Sequence, residues 1–340
     1  NVDKMKKHSN IPIFIPELAC PHQCIFCDQK TISGTHTIPQ PADVKDIVEQ
    51  YLETIPKNRT INIAFFGGTF TGLPIELQEQ YLIEAFKFIK RDRVSGIRLS
   101  TRPDYINVPV LELLKKYSVA TIELGAQSTS QEVLDETGRG HTVDDIRDAS
   151  NLICKHGFEL GLQMMIGLPG DSYERSIKTA KDIVSLGACN TRIYPAIVVK
   201  HTALEKLYYE ERYTPLTLEE AVEWTKDIVH IFEENNISIL RMGLHPSDEL
   251  VIGKSLIAGP FHASFKDMVM TQIWKELIDA ELQSLNSSFS NKIKITVSDR
   301  QIHYAIGYRQ TNREQLVSRG YNVRFEQNPS FSHYQLKMIK

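Results

Sequence analysis

No stretch of this 340-residue chain strings together the roughly 20 apolar residues that a membrane-spanning helix needs. A helical membrane protein is therefore not expected. Cysteine is scarce: there are five, an odd number, and three of them crowd into eight residues. That distribution argues against a disulfide framework and suits a soluble protein of a reducing cytoplasm. The eleven histidines form no H-x3-H or H-E-x2-H pattern, so a histidine-based metal centre has no support. Residues 1–10 carry positive charge with no apolar segment behind it; they do not read as a signal peptide and are expected to be flexible. Neither sign of charge dominates, the net being -3. What remains is an ordinary globular composition, 41% hydrophobic and 24% charged, long enough for a barrel-sized domain plus an appendage.

The stretch that stands out runs from Ile11 to Gln29, I-P-I-F-I-P-E-L-A-C-P-H-Q-C-I-F-C-D-Q. Its apolar, β-branched first half reads as a buried strand, and it empties into a loop holding Cys20, Cys24 and Cys27. Three thiolates on one loop can converge on one inorganic centre. A structural zinc site normally closes with four protein ligands, and a ferredoxin cubane takes four cysteines. Three ligands leave one metal position open for chemistry. Two blander readings stand beside this: a zinc site closed by His22 or a distant residue, and buried thiols, which are good core residues.

Beyond the loop, strands alternate with amphipathic helices. Strands are expected at Ile61–Gly68, Gly96–Thr101, Val119–Gly125, Phe158–Gly167, Asn190–Ala196 and Ile237–Met242, with helices between them. Thr142 with Asp145, and Thr217 with Glu220, are helix-start signatures, and Gly157 is a helix stop. Such alternation implies parallel βαβ units, too few for a complete eightfold barrel. From about Leu250 the character changes to an α+β segment. There a helix is expected at Phe265–Leu285, a strand pair at Ile293–Val297 and Gln301–Ala305, a short helix at Arg313–Arg319 and a strand at Tyr321–Phe325. Charge divides along the same line. Residues 291–340 hold nine Lys or Arg against three acids, a net of +6, which leaves about -9 on the rest. The basic segment is a candidate nucleic-acid surface, and equally an ordinary solvated face.

In α/β barrels ligands sit at the carboxyl ends of the strands, so the residues just after each strand are the candidates. They are Gly67, Gly68 and Thr69; Ser100, Thr101 and Arg102; Glu123, Gln127 and Ser128; Arg139 in G-R-G-H-T; Ile166 in Q-M-M-I-G-L-P-G; and Tyr194. The plain alternatives are an ordinary turn for the glycines, a salt bridge inside the barrel for Glu123, and a solvated helix end for Arg139. Met164 and Met165 read as core, Cys154 and Cys189 as buried thiols, and His201, His245 and His262 as loop residues able to face a substrate.

The spacing C-x3-C-x2-C with Phe26 before the last cysteine, placed directly after the first strand, resembles the cluster loop of the radical S-adenosylmethionine (SAM) enzymes. The resemblance implies a fold, a partial (β/α)6 TIM-like barrel over residues 11–249 with a small C-terminal α+β cap over residues 250–340. It implies two cofactors, a [4Fe-4S] cluster on Cys20, Cys24 and Cys27, and S-adenosylmethionine chelated at the fourth iron. It also implies roles: Phe26 beside the cluster, Gly67, Gly68 and Thr69 at the methionine amino group, Ser100 and Arg102 among the cofactor-binding residues, Glu123 and Gln127 at the ribose hydroxyls, Arg139 at the methionine carboxylate, and Ile166 and Tyr194 at the adenine. The chemistry implied is reductive cleavage of SAM to a 5′-deoxyadenosyl radical that abstracts hydrogen from a substrate. An external electron donor of the flavodoxin or ferredoxin type would feed it.

I-E-L-G-A-Q-S, G-R-G-H-T, T-R-P-D, A-G-P-F-H, H-Y-A-I-G-Y-R and Y-N-V-R-F further resemble the catalytic subunit of Elongator and its bacterial relatives. That family joins a radical domain to an acetyltransferase domain and modifies wobble uridine in tRNA, so tRNA or a modified nucleoside is the substrate implied. The resemblance ends near Phe325, and the residues after it are too few for an acetyltransferase domain. Some barrel strings also resemble oxygen-independent coproporphyrinogen oxidase, which leaves a tetrapyrrole-type small molecule as an alternative substrate. A non-enzymatic zinc or RNA-binding module is the alternative from another class.

Overall fold

The computed structural model describes residues 8–15, 24–28, 37–89, 91, 94–246, 250–251, 253–284 and 291–339. The chain opens with β1 (His8–Ile15), which begins inside the stretch expected to be flexible. It proceeds through α1 (Val44–Thr54), β2 (Thr60–Gly67), α2 (Ile75–Phe86), β3 (Val94–Thr101), α3 (Val108–Lys116) and β4 (Val119–Gln127). Then come α4 (Gln131–Glu136), α5 (Val143–Lys155), β5 (Glu159–Ile166), α6 (Tyr173–Ser185), β6 (Asn190–Pro195), the two-residue β7 (Val198–Val199), α7 (Ala203–Tyr209), α8 (Leu218–Glu234) and β8 (Ser238–Met242). Both helix-start signatures are present as full capping boxes, Thr142 with Asp145 and Thr217 with Glu220. Each satisfies two otherwise orphaned amides.

β1 to β6 and β8 form one parallel sheet in chain order. No pairing returns β8 to β1 among the described residues. The sheet is nevertheless curled. Strands spaced ~4.8 Å apart would put β2 and β6 about 19 Å from each other in a flat sheet, yet the Arg192 guanidinium of β6 lies 5.1 Å from the centre of the Phe66 ring of β2. The result is the curled, open α/β barrel that the alternation implies.

Period-2 geometry then sorts each strand into two faces. Ile11, Ile13 and Ile15, Ile61, Ile63 and Phe65, Ile122, Leu124 and Ala126, and Leu160, Leu162, Met164 and Ile166 all sit in one apolar core under the helices. The residues between them turn inward: Pro12 and Phe14, Phe66, Arg98 and Ser100, Glu123 and Gln127, Gln163 and Met165, and Arg192 and Tyr194.

The C-terminal part contains β9 (Leu256–Ala258), which pairs with β7, then α9 (Phe265–Ser284), β10 (Lys292–Val297), α10 (Ile302–Ile306), α11 (Thr311–Ser318), β11 (Asn322–Gln327) and β12 (Leu336–Ile339). α9 serves two cores. Phe265, Val269, Met270 and Ile273 join the barrel core, while Trp274, Ile278 and Leu282 pack with Ile293, Ile295 and Val297 of β10. One expectation is corrected here: Gln301–Ala305 is not the strand partner of β10. Ile302, Tyr304 and Ile306 alternate as a strand would, but the run closes into a helical turn, with Ala305 N–H donating to the Gln301 carbonyl at 3.0 Å. β10 pairs instead with β11 in parallel and β12 antiparallel. Among the described residues no helix is long and apolar enough to cross a membrane.

Candidate active site

At the carboxyl ends of the strands the barrel opens into a cavity of about 930 Å³. Cys24, Phe26 and Cys27 line one wall; Cys20 lies outside the described residues. The cysteine loop is clamped from both sides. Ile25 N–H donates to the Thr137 carbonyl at 3.1 Å, the Ile25 carbonyl accepts from Leu204 N–H at 2.8 Å, and Cys27 N–H turns back onto the Cys24 carbonyl at 3.0 Å. Beneath the loop Cys24 and Phe26 pack on Val133, Leu168, Val198 and Leu204. An apolar seat of this kind keeps water from the sulfur atoms.

Gly67, Gly68 and Thr69 line the same cavity at the end of β2. Gly67 has φ +114, and a methyl group there would lie 3.0 Å from the carbonyl carbon of Ile15. Only glycine fits both conditions. The turn is held from below, where Gln78 Nε2 donates to the Thr71 and Leu73 carbonyls and Thr71 shares a 2.6 Å hydroxyl contact with Thr101. Ser100 also faces the cavity, with Gln163 Nε2 at 3.4 Å from its hydroxyl. Arg102 lines it too, committed to Asp104 through two 2.9 Å hydrogen bonds.

At the end of β4 the pairing with β5 slips, and Gln127 takes a positive φ of 65. Its side-chain oxygen is buried with no hydrogen-bond partner, although Gln127 lines the cavity. An orphaned buried acceptor is costly and marks a place where a donor is missing. Arg139 joins this strand to the cysteine loop: Nη2 donates to the Gly125 carbonyl at 2.6 Å and Nη1 to Cys24 Sγ at 3.2 Å. That hydrogen bond fixes the Cys24 sulfur against the wall of the fourth strand. Arg139 is buried, not a solvated helix end.

The comparisons with known proteins decide the family. The family model described as the radical SAM superfamily matches residues 15–183, and that of a radical SAM C-terminal domain matches residues 190–277. An uncharacterized protein of Methanocaldococcus jannaschii is 33% identical over 224 residues, spanning 62% of this chain and 68% of that protein. The chain belongs to the radical SAM superfamily. A tRNA uridine(34) acetyltransferase of the same organism is 27% identical over 245 residues, 60% of this chain, and the match spans 45% of that protein. An archaeal Elp3 of Methanocaldococcus infernus, solved without its N-terminus, has the same fold at 21% identity, with a TM-score of 0.63 over 79% of this chain and 64% of that one.

This radical SAM enzyme buries one carboxylate, Glu123, between the arginines Arg98 and Arg192. Glu123 is 1% exposed and does not line the cavity. It receives Arg98 Nε at 2.9 Å and Nη2 at 2.5 Å, Arg192 Nε at 2.6 Å and Nη2 at 3.4 Å. Burial pushes its carboxyl pKa up, but Arg192 and Arg98 outweigh that and hold it below the usual value, so Glu123 is an anion. The room for it comes from Gly161, where a methyl would stand 2.8 Å from Glu123 Cγ.

Other site residues of the radical SAM fold fall as follows. Tyr194 lines the cavity, while Ile166 belongs to the helix-facing core and Met165, one residue earlier, faces the cavity instead. His245 lines it, and His262 packs edge-on against Tyr308, away from it. Cys154 and Cys189 are exposed, not buried; Cys154 falls just past the buried stripe Ile146, Ala149, Ser150 and Ile153 of its helix.

Sequence reading passed over Arg98, Arg192 and Arg241, each a charge in the middle of an apolar strand (G-I-R-L, T-R-I-Y, I-L-R-M) on the parity that faces inward. That parity was the available signal. It also passed over Asp171, which is half-buried and accepts from Gly167 N–H, Ser172 N–H and Ser176 Oγ, bracing the turn after β5; burial raises its pKa.

Proposed function

We propose that this radical SAM enzyme holds a [4Fe-4S] cluster on Cys20, Cys24 and Cys27, binds S-adenosylmethionine in the adjoining cavity, and acts on tRNA or a nucleoside derived from it. The observation that carries the reading is Arg139, whose one guanidinium bonds both the Cys24 sulfur and the Gly125 carbonyl of the fourth strand. It ties the cysteine loop to the wall where a nucleoside would lie.

The residues present fit both groups. Gly67 and Gly68 present backbone without side chains to the cavity, and the conformation of Gly67 against the Ile15 backbone keeps it so, which suits the methionine amino group. The unpartnered oxygen of Gln127 suits a ribose hydroxyl. When bound, the cluster and SAM supply the hard chemistry, one-electron cleavage to a 5′-deoxyadenosyl radical. The chain's own part is different. Phe26 and its apolar neighbours pack around Cys24 and Cys27, Arg139 donates a hydrogen bond to Cys24 Sγ, and Arg102, paired with Asp104, stands fixed just after the third strand. An external donor of the flavodoxin or ferredoxin type would supply the electron.

The substrate part rests on the tRNA uridine(34) acetyltransferase relative, of which this chain spans under half, and on the basic residues of 291–339. Arg313 and Arg309 on that segment make no carboxylate contact among the described residues; Arg309 lies over the Tyr308 ring. Nucleoside mass spectrometry of tRNA from a strain deleted for the gene tests it. A missing modification that returns with the wild-type gene, and not with a Cys24→Ala gene, is expected; an unchanged tRNA nucleoside profile refutes the tRNA assignment.

A further inference from the structure

Four arginines and no Asp or Glu line the cavity among the described residues. Two of the four are accounted for, Arg102 by Asp104 and Arg139 by Cys24 and Gly125. The other two are not. Arg192 shares the single carboxylate of Glu123 with Arg98, so one anion serves two guanidiniums. Among the described residues Arg241 is tethered only by neutral groups, Nε to the Gly243 carbonyl and Nη2 to the Leu244 carbonyl, both at 3.1 Å.

β6 and β8 set Arg192 directly opposite Arg241 in register. Like charges opposed across neighbouring strands destabilise a sheet, and in a half-buried site the cost rises because water screens less. Burial, which outweighs the opposing pull of Tyr194, lowers the pKa of Arg241, and the charge of Arg192 adds a smaller push in the same direction. Both side chains are nevertheless held in place, Arg192 by Glu123 and its stacking on Phe66, Arg241 by its two carbonyls. Two immobilised, under-neutralised guanidiniums on one wall form a fork for an oxyanion.

We infer that Arg192 and Arg241 form a subsite for an oxyanion, phosphate or carboxylate, carried by the substrate and not by S-adenosylmethionine. This deepens the reading of the cavity as the active site and rests on it. The substrate then enters with its anionic group against β6 and β8, across the barrel from the cysteine loop that follows β1.

The test is equilibrium dialysis of labelled inorganic phosphate, and in parallel succinate, against the anaerobically reconstituted protein at constant ionic strength, with and without saturating S-adenosylmethionine. Saturable binding of one anion per chain that persists with S-adenosylmethionine present is expected. Arg241→Gln should weaken it at least tenfold and Arg241→Lys by less than that. Phosphate binding points to a nucleotide-type anion and succinate binding to a carboxylate; either supports the subsite. No saturable binding of either anion by the wild-type protein, displacement by S-adenosylmethionine, or affinity indifferent to a folded Arg241→Gln overturns it. If Arg241→Gln does not fold, the wild-type and Arg241→Lys measurements decide: Arg241→Lys binding that is indistinguishable from wild type at every anion concentration also overturns the fork. 5′-Deoxyadenosine formation by the same wild-type preparation reports separately on the radical chemistry, so the two readings can fail independently.

Discussion

Replacing Glu123 by glutamine is the sharpest perturbation of the cavity floor, because it changes one charge and almost no volume. In the native protein the carboxylate takes four guanidinium contacts between 2.5 and 3.4 Å and a fifth contact from Gln163 Nε2 at 3.4 Å. Arg98 is 6% exposed and Arg192 15% at the side chain, so water can replace little of what the carboxylate supplies. Glutamine would keep one acceptor and present an NH2 to a guanidinium already rich in donors. Removing one partner from such a buried set costs about 3–5 kcal/mol, since two cations are left without their anion. With a urea slope of about 3 kcal/mol per M, that is a fall in midpoint of roughly 1–1.7 M. Anaerobic urea unfolding followed by far-UV circular dichroism at pH 7 measures it. The pH dependence has a definite sign: the folded pKa of Glu123 is depressed, so its stabilisation is present above the unfolded value of 4.5 and is lost as pH falls through the folded value. The gap between wild type and Glu123→Gln should therefore be constant above about pH 5 and narrow below it. A variant within about 1 kcal/mol of wild type at pH 7 would show that the guanidiniums do not depend on this carboxylate, and would refute the reasoning.

Further outcomes follow from the same geometry. Gly67→Ala must hold an L-residue at φ +114 against the Ile15 backbone, so a stability loss of about 1–3 kcal/mol is expected. A weaker binding of S-adenosylmethionine by calorimetry should accompany it, and unchanged binding would remove Gly67 from the cradle. His141 is 2% exposed, and burial, then Arg139 and Arg102, push its pKa down from 6.5 to about 3. The unfolded chain takes up a proton below 6.5 that the folded chain refuses, so going from pH 7 to pH 5 should cost about 2 kcal/mol through this residue. His141→Gln should lose that part of the pH dependence in chemical denaturation, and an unchanged slope would contradict it. Replacing Arg309, Arg313 and Arg319 together should weaken tRNA binding and flatten its salt dependence, because fewer counterions are released; filter binding at several salt concentrations reads this, and an unchanged slope sinks the basic segment as the tRNA surface.

Much of this was legible in the residues because the barrel strands carry their geometry in a period of two. The inward parity of Thr121-Ile122-Glu123-Leu124 follows from the apolar residues on either side, and the capping boxes at Thr142 and Thr217 are local signals with local consequences. The pairings were not legible. That Arg192 meets Glu123, 69 residues away, and stands opposite Arg241 depends on strand register and on the curl of the sheet. Arg139 looked equally like a solvated helix end, because its contact with Cys24 spans 115 residues. Gln301–Ala305 failed for another reason: in five residues, periods of 2 and 3.6 cannot be told apart.

The central claim, that the cysteine loop and the cavity beside it make a radical from S-adenosylmethionine, is tested most directly by one anaerobic assay. The protein is reconstituted with iron and sulfide, mixed with S-adenosylmethionine and dithionite, and 5′-deoxyadenosine is quantified by mass spectrometry. A brown protein that forms 5′-deoxyadenosine, with both properties lost in Cys24→Ala and Cys27→Ala, is the expected result. A wild-type protein that takes up no iron–sulfur chromophore and releases no 5′-deoxyadenosine would contradict the account.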